Sequence, residues 1–249
     1  CYAMLERTYA IMDRMVGALR KAAGEESLIV ALSDHGQGPI YRFYHVNQAF
    51  VDAGLMRLKN DPKTGREVID WAATKAYAQA DWDAGVYVNL RGREPNGIVE
   101  PGQEYEDIRD RVLDVLRELR DPITSERMVH LALRREDAEI YGLNDERVGD
   151  IVYCSAPRYE GDERYGTDVP VADEYTVLGT VTGSHSQLPT YPDVHAFFVM
   201  AGPGVKKGLD RPRPIRIIDV APTVAYLADL PIPRNAEGSI LYDLIEEFD

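Results

Sequence analysis

Leu28-Ile29-Val30-Ala31-Leu32 runs directly into Ser33-Asp34-His35-Gly36-Gln37-Gly38-Pro39. The apolar run has the length and composition of a strand buried on both faces. Polarity and glycine arrive together at Ser33, so the strand is expected to stop there and the chain to turn. Upstream, Tyr2, Leu5, Tyr9, Met12, Val16 and Leu19 repeat at spacings of three and four. That period lays one apolar stripe along one face of a helix, with Gly24 marking its end. Helix, buried strand and polar glycine loop in succession are the signs of an α/β sheet, whose sites lie beyond the carboxyl ends of its strands.

Working outward, Val46–Leu55 reads as a helix closed by Gly54, and Lys59–Asp83 as a looser stretch. Val86–Leu90 reads as a strand and Arg91–Gly102 as an ordered Gly/Pro loop. A second strong helix carries Tyr105, Ile108, Val112, Val115 and Leu119 on one stripe. Met128–Leu133 and Ile151–Cys154 are strand candidates, and Tyr159–Asp173 is polar and loop-like. The polar glycine segment Gly179–Pro192 then precedes Ala196–Ala201, a further buried-strand pattern closed by Gly202-Pro203-Gly204. Ile215–Ile218 reads as a strand or an extended lead-in to a helix over Pro222–Leu230, with Asp219 at the N-cap and Pro222 in the first turn.

Composition narrows the classes of function. The 249 residues are 45% apolar, enough for a sizeable core, and Lys plus Arg number 28 against 42 Asp plus Glu, a formal charge of -14. Such a surface repels nucleic-acid backbones and excludes a nucleic-acid polymer as partner. It leaves room for a small phosphate ester, because bound metal reverses the field locally. Cys1 and Cys154 make no disulfide framework or metal spacing and read as two unrelated thiols. No run is long enough to span a membrane. The start at Cys1 reads as truncated or processed, which leaves the compartment open with the cytoplasm favoured.

Of the five histidines, two sit in settings that suggest metal. In Asp34-His35-Gly36 a carboxylate and an imidazole are adjacent at a strand end. Neighbours on a regular strand point to opposite faces, so both reach one ion only if the backbone turns, which Gly36 and Gly38 allow. Oxygen plus nitrogen donors suit zinc, with manganese or iron as alternatives. His185, in Thr182-Gly183-Ser184-His185-Ser186, occupies a second glycine loop before a core strand. Ser33, Ser184 and Ser186 read as turn hydroxyls and His45 as a loop or helix N-terminal residue. His130 reads as partly buried, Asp193 as a turn residue, and His195 as a surface residue or a partner that orients a ligand. Arg91, Arg93 and Glu94 read as a structural ion-pair knot.

Together these segments resemble a known family. Ser33-Asp34-His35-Gly36 after an apolar strand is similar to the metal motif of type I phosphodiesterases and nucleotide pyrophosphatases, within the alkaline phosphatase superfamily. Gly183-Ser184-His185, then a strand and Gly202-Pro203-Gly204-Val205, resembles that family's later histidine motif, although Ser186 stands where the family usually has Gly. Asp219-Val220-Ala221-Pro222-Thr223, Leu230-Pro231-Ile232-Pro233 and Glu237-Gly238 resemble its C-terminal signature. Gly92-Arg93-Glu94-Pro95-Asn96-Gly97-Ile98-Val99 matches a bacterial and archaeal branch.

The resemblance implies an alkaline-phosphatase-like α/β sandwich with a mainly parallel central sheet and an inserted α+β cap subdomain. Residues 1–58 and 174–249 would form the metal-binding core and 59–173 the cap. It implies two divalent metal ions, zinc by preference, with Asp34 and His35 on one and His185 on the other. The implied activity is hydrolysis of small phosphate esters through a phospho-enzyme. The family's nucleophile and remaining ligands lie upstream of the segments matched here, so they are expected before Cys1. The missing N-terminal part would then be the chain's partner, and no turnover is expected from these residues alone. The alternatives are a non-catalytic scaffold fragment, or a mutase or sulfatase of the same superfamily.

Overall fold

The computed structural model describes residues 2–79, 85–174 and 182–246. Cys1, Asp83 and the segment's opening residues Gly179–Val181 lie outside the described residues. In chain order the elements are α1 (Tyr2–Ala23), β1 (Ile29–Leu32), β2 (Gly38–Ile40), β3 (Arg42–His45), α2 (Val46–Asp52), β4 (Leu58–Asn60), β5 (Glu67–Ile69), β6 (Ala76–Gln79) and β7 (Gly85–Val88). There follow α3 (Gln103–Glu118), β8 (Val129–Arg134), β9 (Ile151–Ser155), β10 (Tyr159–Asp162), β11 (Ala172–Glu174), β12 (Thr182–Ser184), β13 (Phe198–Ala201) and α4 (Val220–Leu227). The α/β class expected from the sequence is the class observed. Two compact units divide the chain: Cys1–Gly36 with Ala196–Asp249, and Gln37–His195.

The larger unit holds the main apolar core. A four-stranded sheet in the order β6-β7-β9-β8 is antiparallel throughout. Against it α3 buries Ile108, Val112, Leu113 and Leu116; Ile108 and Val112 lie on the stripe its periodicity gave, and Leu113 and Leu116 widen the buried face. Phe50, Leu55, Met56, Val86, Val88, Met128 and Ile151 complete the core. Each such side chain contributes about 1.5–3 kcal/mol of hydrophobic stabilisation relative to exposure. A separate sheet places β3 between β10 and β11.

Only β3–β10 is a parallel pairing among the described strands, where a mainly parallel order was expected. The reason lies in the connections. Antiparallel neighbours need only a short turn, whereas a parallel pair needs a crossover of a dozen residues or more. The stretch 59–83, expected to be loose, contains β4 and β5 joined by the Asp61–Arg66 turn, followed by β6. The stretch 159–173, expected to be a loop, supplies β10 and β11.

Polar knots fix this unit. Asp150 is wholly buried and accepts hydrogen bonds from the Val88 N–H (2.7 Å), the Tyr105 hydroxyl (2.7 Å) and both terminal nitrogens of Arg93 (2.6 Å each). Burial pushes this carboxyl up, but these donors outweigh it and hold it below the ordinary aspartate range. Arg93 also pairs with Glu94 at 2.9 Å, while Arg91 pairs with Glu100 at 2.6 Å. At Gly97 an added Cβ would stand 2.1 Å from the Leu90 carbonyl oxygen, so the knot's loop admits no side chain there.

His45, read as a loop or N-terminal residue, is fully buried at the junction of β3 and α2. Its Nδ1 meets the Asp162 carboxylate and its Nε2 lies 3.4 Å from Asp173. Arg164 joins the same two carboxylates. His130 stands at a register shift between β8 and β9 that turns its ring outward, so it is exposed rather than partly buried.

The smaller unit buries far less. Its β1 and β13 pair antiparallel, Ile29 opposite Ala201 and Leu32 opposite Phe198. Neither strand is buried as expected: Leu32 is 40% and Val199 57% exposed, because each has a single strand neighbour in this sheet. The α1 stripe is exposed too, with Tyr2 at 85%, Leu5 at 54% and Leu19 at 65%. Burial in this unit gathers around α4, where Asp219 accepts from the backbone N–H groups of Arg216 (3.0 Å) and Ser239 (2.8 Å). The Asp219 carboxylate thus ties the loop ends together and makes no side-chain cap on α4. Gly238 lets those backbones meet; a Cβ there would stand 2.0 Å from the Ile218 carbonyl oxygen.

Asp150, Asp121 and Asp162 all titrate below the ordinary aspartate value. A depressed carboxylate stabilises the fold above its unfolded pKa of about 3.9 and loses that contribution as pH falls through the folded value. The melting temperature should therefore be flat above about pH 5 and drop below about pH 4. Arg93→Met should cost about 3 kcal/mol in urea unfolding at neutral pH, because it leaves the Asp150 charge buried without its cation. The same change should cost little once Asp150 is protonated.

Candidate metal-binding and phosphoester site

At the end of β1 the backbone leaves the strand, with the Ser33 N–H still donating to the Phe197 carbonyl at 3.2 Å. The Ser33 hydroxyl closes the turn by donating to the His35 carbonyl at 2.7 Å, and it reaches Asp34 Oδ1 at 3.4 Å. This reversal cancels the strand's alternation. The carboxylate of Asp34 and the ring of His35 come to one side, Oδ2 and Nε2 being 3.3 Å apart.

The imidazole orientation is informative. His35 Nδ1 lies 2.9 Å from the Gly36 carbonyl oxygen. A carbonyl only accepts, so Nδ1 carries a proton, and the neutral ring then turns a lone pair at Nε2 toward a carboxylate oxygen. At 3.3 Å from Asp34 Oδ2, Nε2 is spaced so that both atoms could face one metal ion. Donation from Nδ1 to a backbone carbonyl is also the usual setting of a metal-bound histidine. Two ligands about 2.1 Å from a tetrahedral zinc ion stand roughly 3.4 Å from one another, close to the separation found. The pair therefore fits part of a zinc shell.

Asp34 is an exposed carboxylate held below its ordinary pKa. Hydrogen bonding from its own backbone N–H is the largest cause. The His35 ring and N–H and the Ser33 hydroxyl act in the same direction against the cost of burial. It is thus ionised and able to ligate at neutral pH.

His185 lies in the larger unit, exposed, directly after β12, whose Gly183 pairs with Pro39 and Ser184 with Gly38 of β2. The loop beyond it is anchored: Ser186 donates to Glu160 at 2.6 Å, and Gln187 Nε2 to the Tyr159 carbonyl at 3.3 Å. Asp34 and His35 belong to the smaller unit. Among the described residues no group of three or more His, Cys, Asp or Glu side chains is gathered to hold a metal ion. The site residues brought together are Asp34 and His35. His195 is exposed and donates from Nε2 to the Pro189 carbonyl at 2.9 Å, and so has a local partner of its own. Cys154 is a free thiol of intermediate burial, and burial raises its pKa, so it is a poor nucleophile. Among the described residues no helix is long and apolar enough to cross a membrane.

Comparison with known proteins finds similarity to one family and to several solved structures. The family model described as type I phosphodiesterase / nucleotide pyrophosphatase matches residues 3–185. Among solved structures, human ectonucleotide pyrophosphatase/phosphodiesterase 5 superposes with a TM-score of 0.57 at 14% identity, covering 94% of this chain and 50% of that one. A variant of the alkaline phosphatase PafA gives 0.55 at 20% identity, covering 88% and 38%. The fold is alkaline-phosphatase-like. Arylsulfatase K of Homo sapiens is 36% identical over 53 residues, 21% of this chain and 10% of that protein. The chain spans half or less of the length of each of these relatives.

The Asp34–His35 arrangement depends on the Ser33 turn. Ser33→Ala should cost about 1 kcal/mol in chemical denaturation of the smaller unit, the net value of the one hydrogen bond it removes.

Proposed function

We propose that this chain, which belongs to the type I phosphodiesterase / nucleotide pyrophosphatase family, supplies part of the two-metal site of an enzyme that hydrolyses small phosphate esters. Asp34 and His35 ligate one divalent ion and His185 the other, zinc being the ion that suits nitrogen and oxygen donors best, with manganese or iron as alternatives. The observation that carries this reading is the convergence of Asp34 Oδ2 and His35 Nε2 at 3.3 Å beyond the end of β1.

Bound in such a site, divalent ions supply charge to the phosphoryl and leaving oxygens. The residues of this chain do the holding. The Gly36 carbonyl fixes the His35 ring, and backbone donors keep Asp34 ionised. The covalent step in this reading is attack of a hydroxyl oxygen on phosphorus with departure of the ester oxygen. Water then attacks the same phosphorus and releases the phosphate. None of the residues 1–249 is assigned as that nucleophile, since the Ser33 and Ser186 hydroxyls are engaged in turn and anchor bonds. Residues 59–173 are read as a cap that shapes access, inserted between core segments 1–58 and 174–249. The likeness to arylsulfatase K over 53 residues favours sulfate-ester hydrolysis as the second reading.

The partner in this reading is the remaining polypeptide of the same protein, and its support is the apolar face of α1, exposed at Tyr2, Leu5, Tyr9 and Leu19. Contiguous apolar surface of this kind marks an interaction site or an association hazard. In sedimentation velocity the chain alone should self-associate, and the double variant Leu5→Glu/Leu19→Glu should be monomeric.

Calorimetric titration of the chain with zinc tests the ligand assignment. Binding should weaken at least tenfold in Asp34→Ala and in His35→Ala, and His185→Ala should remove a separate site. Zinc binding that is absent, or indifferent to Asp34 and His35, would sink the assignment. The chain alone with zinc should release no product from bis-p-nitrophenyl phosphate.

A further inference from the structure

The larger unit contains a cavity of about 310 Å³ walled by the link between β2 and β3, the turn at 121–126 and the turn that opens β10. Its lining includes Tyr41, Arg42, Asp121, Glu126, Arg158 and Tyr159. Small-molecule sites begin at about this volume.

The construction of its walls is unusual in two places. Ala156-Pro157-Arg158-Tyr159 is a tight turn closed by the Tyr159 N–H on the Ala156 carbonyl at 3.1 Å. Arg158 occupies its third position with φ +78°, where such a turn with proline second calls for glycine. Across the cavity Ser125, between the lining residues Thr124 and Glu126, has φ +61°. These are two of the three positive-φ residues other than glycine among the described residues. Backbone strain gathered around one cavity directs attention to what the strained side chains present there.

Arg158 presents a cation. Its carbonyl receives the N–H groups of Tyr41 (2.9 Å) and Arg42 (3.4 Å), which sets its guanidinium over the Tyr41 ring, 5.9 Å from the centroid. Among the described residues no carboxylate pairs with it. The cavity's buried acid is already satisfied: Asp121 accepts from Arg42 Nε at 2.9 Å, from the N–H groups of Ile123 (2.8 Å) and Thr124 (3.2 Å), and from the Tyr159 hydroxyl at 3.0 Å. The Glu126 carboxylate, exposed at the rim, lies 3.2 Å from the same Tyr159 hydroxyl and shares its one proton with Asp121. The opening thus offers an unpaired guanidinium and a tyrosine face 49% exposed. Guanidinium matches oxyanions in charge and fork geometry, and an exposed ring accepts a flat group by stacking.

We infer that this cavity is a binding site for a small planar anion, an aromatic or other flat group bearing a phosphonate, phosphate or carboxylate, with the oxyanion on Arg158 and the flat group on Tyr41. The site lies wholly within Gln37–His195 and stands or falls independently of the metal ligands. Arg158 is retained in a glycine position because the ligand needs its charge.

The test uses phenylphosphonate, which no hydrolase cleaves at its P–C bond by the chemistry above, titrated into the 249-residue chain in EDTA and followed by NMR shifts or calorimetry. Saturable binding should weaken at least tenfold in Arg158→Gly, and the melting temperature of that variant should hold or rise because glycine suits the turn. Glu126→Gln should tighten binding, since it removes the rim's negative charge. Tyr41→Ala should erase the preference for phenylphosphonate over inorganic phosphate. The proposal is overturned if phenylphosphonate does not bind, or if Arg158→Gly binds as the parent does. It is equally overturned if Glu126→Gln weakens binding, which would indicate a cationic ligand, or if Arg158→Gly lowers the melting temperature, which would make the guanidinium structural.

Discussion

A carboxylate without solvent must find its compensation inside the protein, and the buried Asp150 imposes that condition on most of the larger unit. Its two oxygens receive the Arg93 fork, the Tyr105 hydroxyl and the Val88 N–H. The strand β7, the helix α3, the 91–97 loop and the start of β9 must therefore meet at one point. An isolated ion there would cost several kcal/mol, so the apolar core can close only in the arrangement that brings these donors together. The same condition recurs where Asp121 takes Arg42 and where Asp162 and Asp173 take Arg164. In a chain with 42 acids and 28 lysines and arginines, cations are scarce, and the buried acids claim several of them. Arg158 stands apart by its backbone, an arginine at φ +78° in a turn position that calls for glycine.

The smaller unit is built on a different balance. Its tightest polar construction, Asp219 with the N–H groups of Arg216 and Ser239, orders the chain around α4. The strands β1 and β13 have each other and leave apolar side chains half-exposed. The chemistry it offers is consequently local. Three residues of backbone reversal, closed by one hydroxyl, bring a carboxylate and an imidazole together.

Periodicity made α1 and α3 legible in the sequence, the Asp219 and Pro222 start signals did so for α4, and apolar runs for β1, β7, β8, β9 and β13. What an apolar run cannot say is what covers it, and the run at Leu28–Leu32, expected to be buried on both faces, is partly exposed on that account. The strands β4, β5, β10 and β11 were hidden because their residues are polar. For β10 and β11 the pairing is also set by neighbours distant in sequence, as when Asp162 pairs with His45. His45 gave no sign of burial, since Asp162 and Asp173, the carboxylates beside it, stand more than a hundred residues away. The Asp34–His35 pair was legible because its cause is local: an apolar run, a serine and a glycine. The cavity around Arg158 was not, since a left-handed arginine is invisible until the turn is seen.

The geometry at Asp34 and His35 also sets how a metal must compete. With Nδ1 committed to the Gly36 carbonyl, the one lone pair on the ring is at Nε2, and it faces a carboxylate held ionised by its own backbone. A proton at Nε2 satisfies both groups, and so does a metal ion, but not both at once. A metal ion held at the proposed site would take the Nε2 lone pair, so it competes with a proton for the same position. Two donors leave a tetrahedral ion half-coordinated, so water or further protein ligands must complete it. In the proposed reading an exposed pair of this kind binds weakly by itself, and its strength depends on what completes the ion's shell.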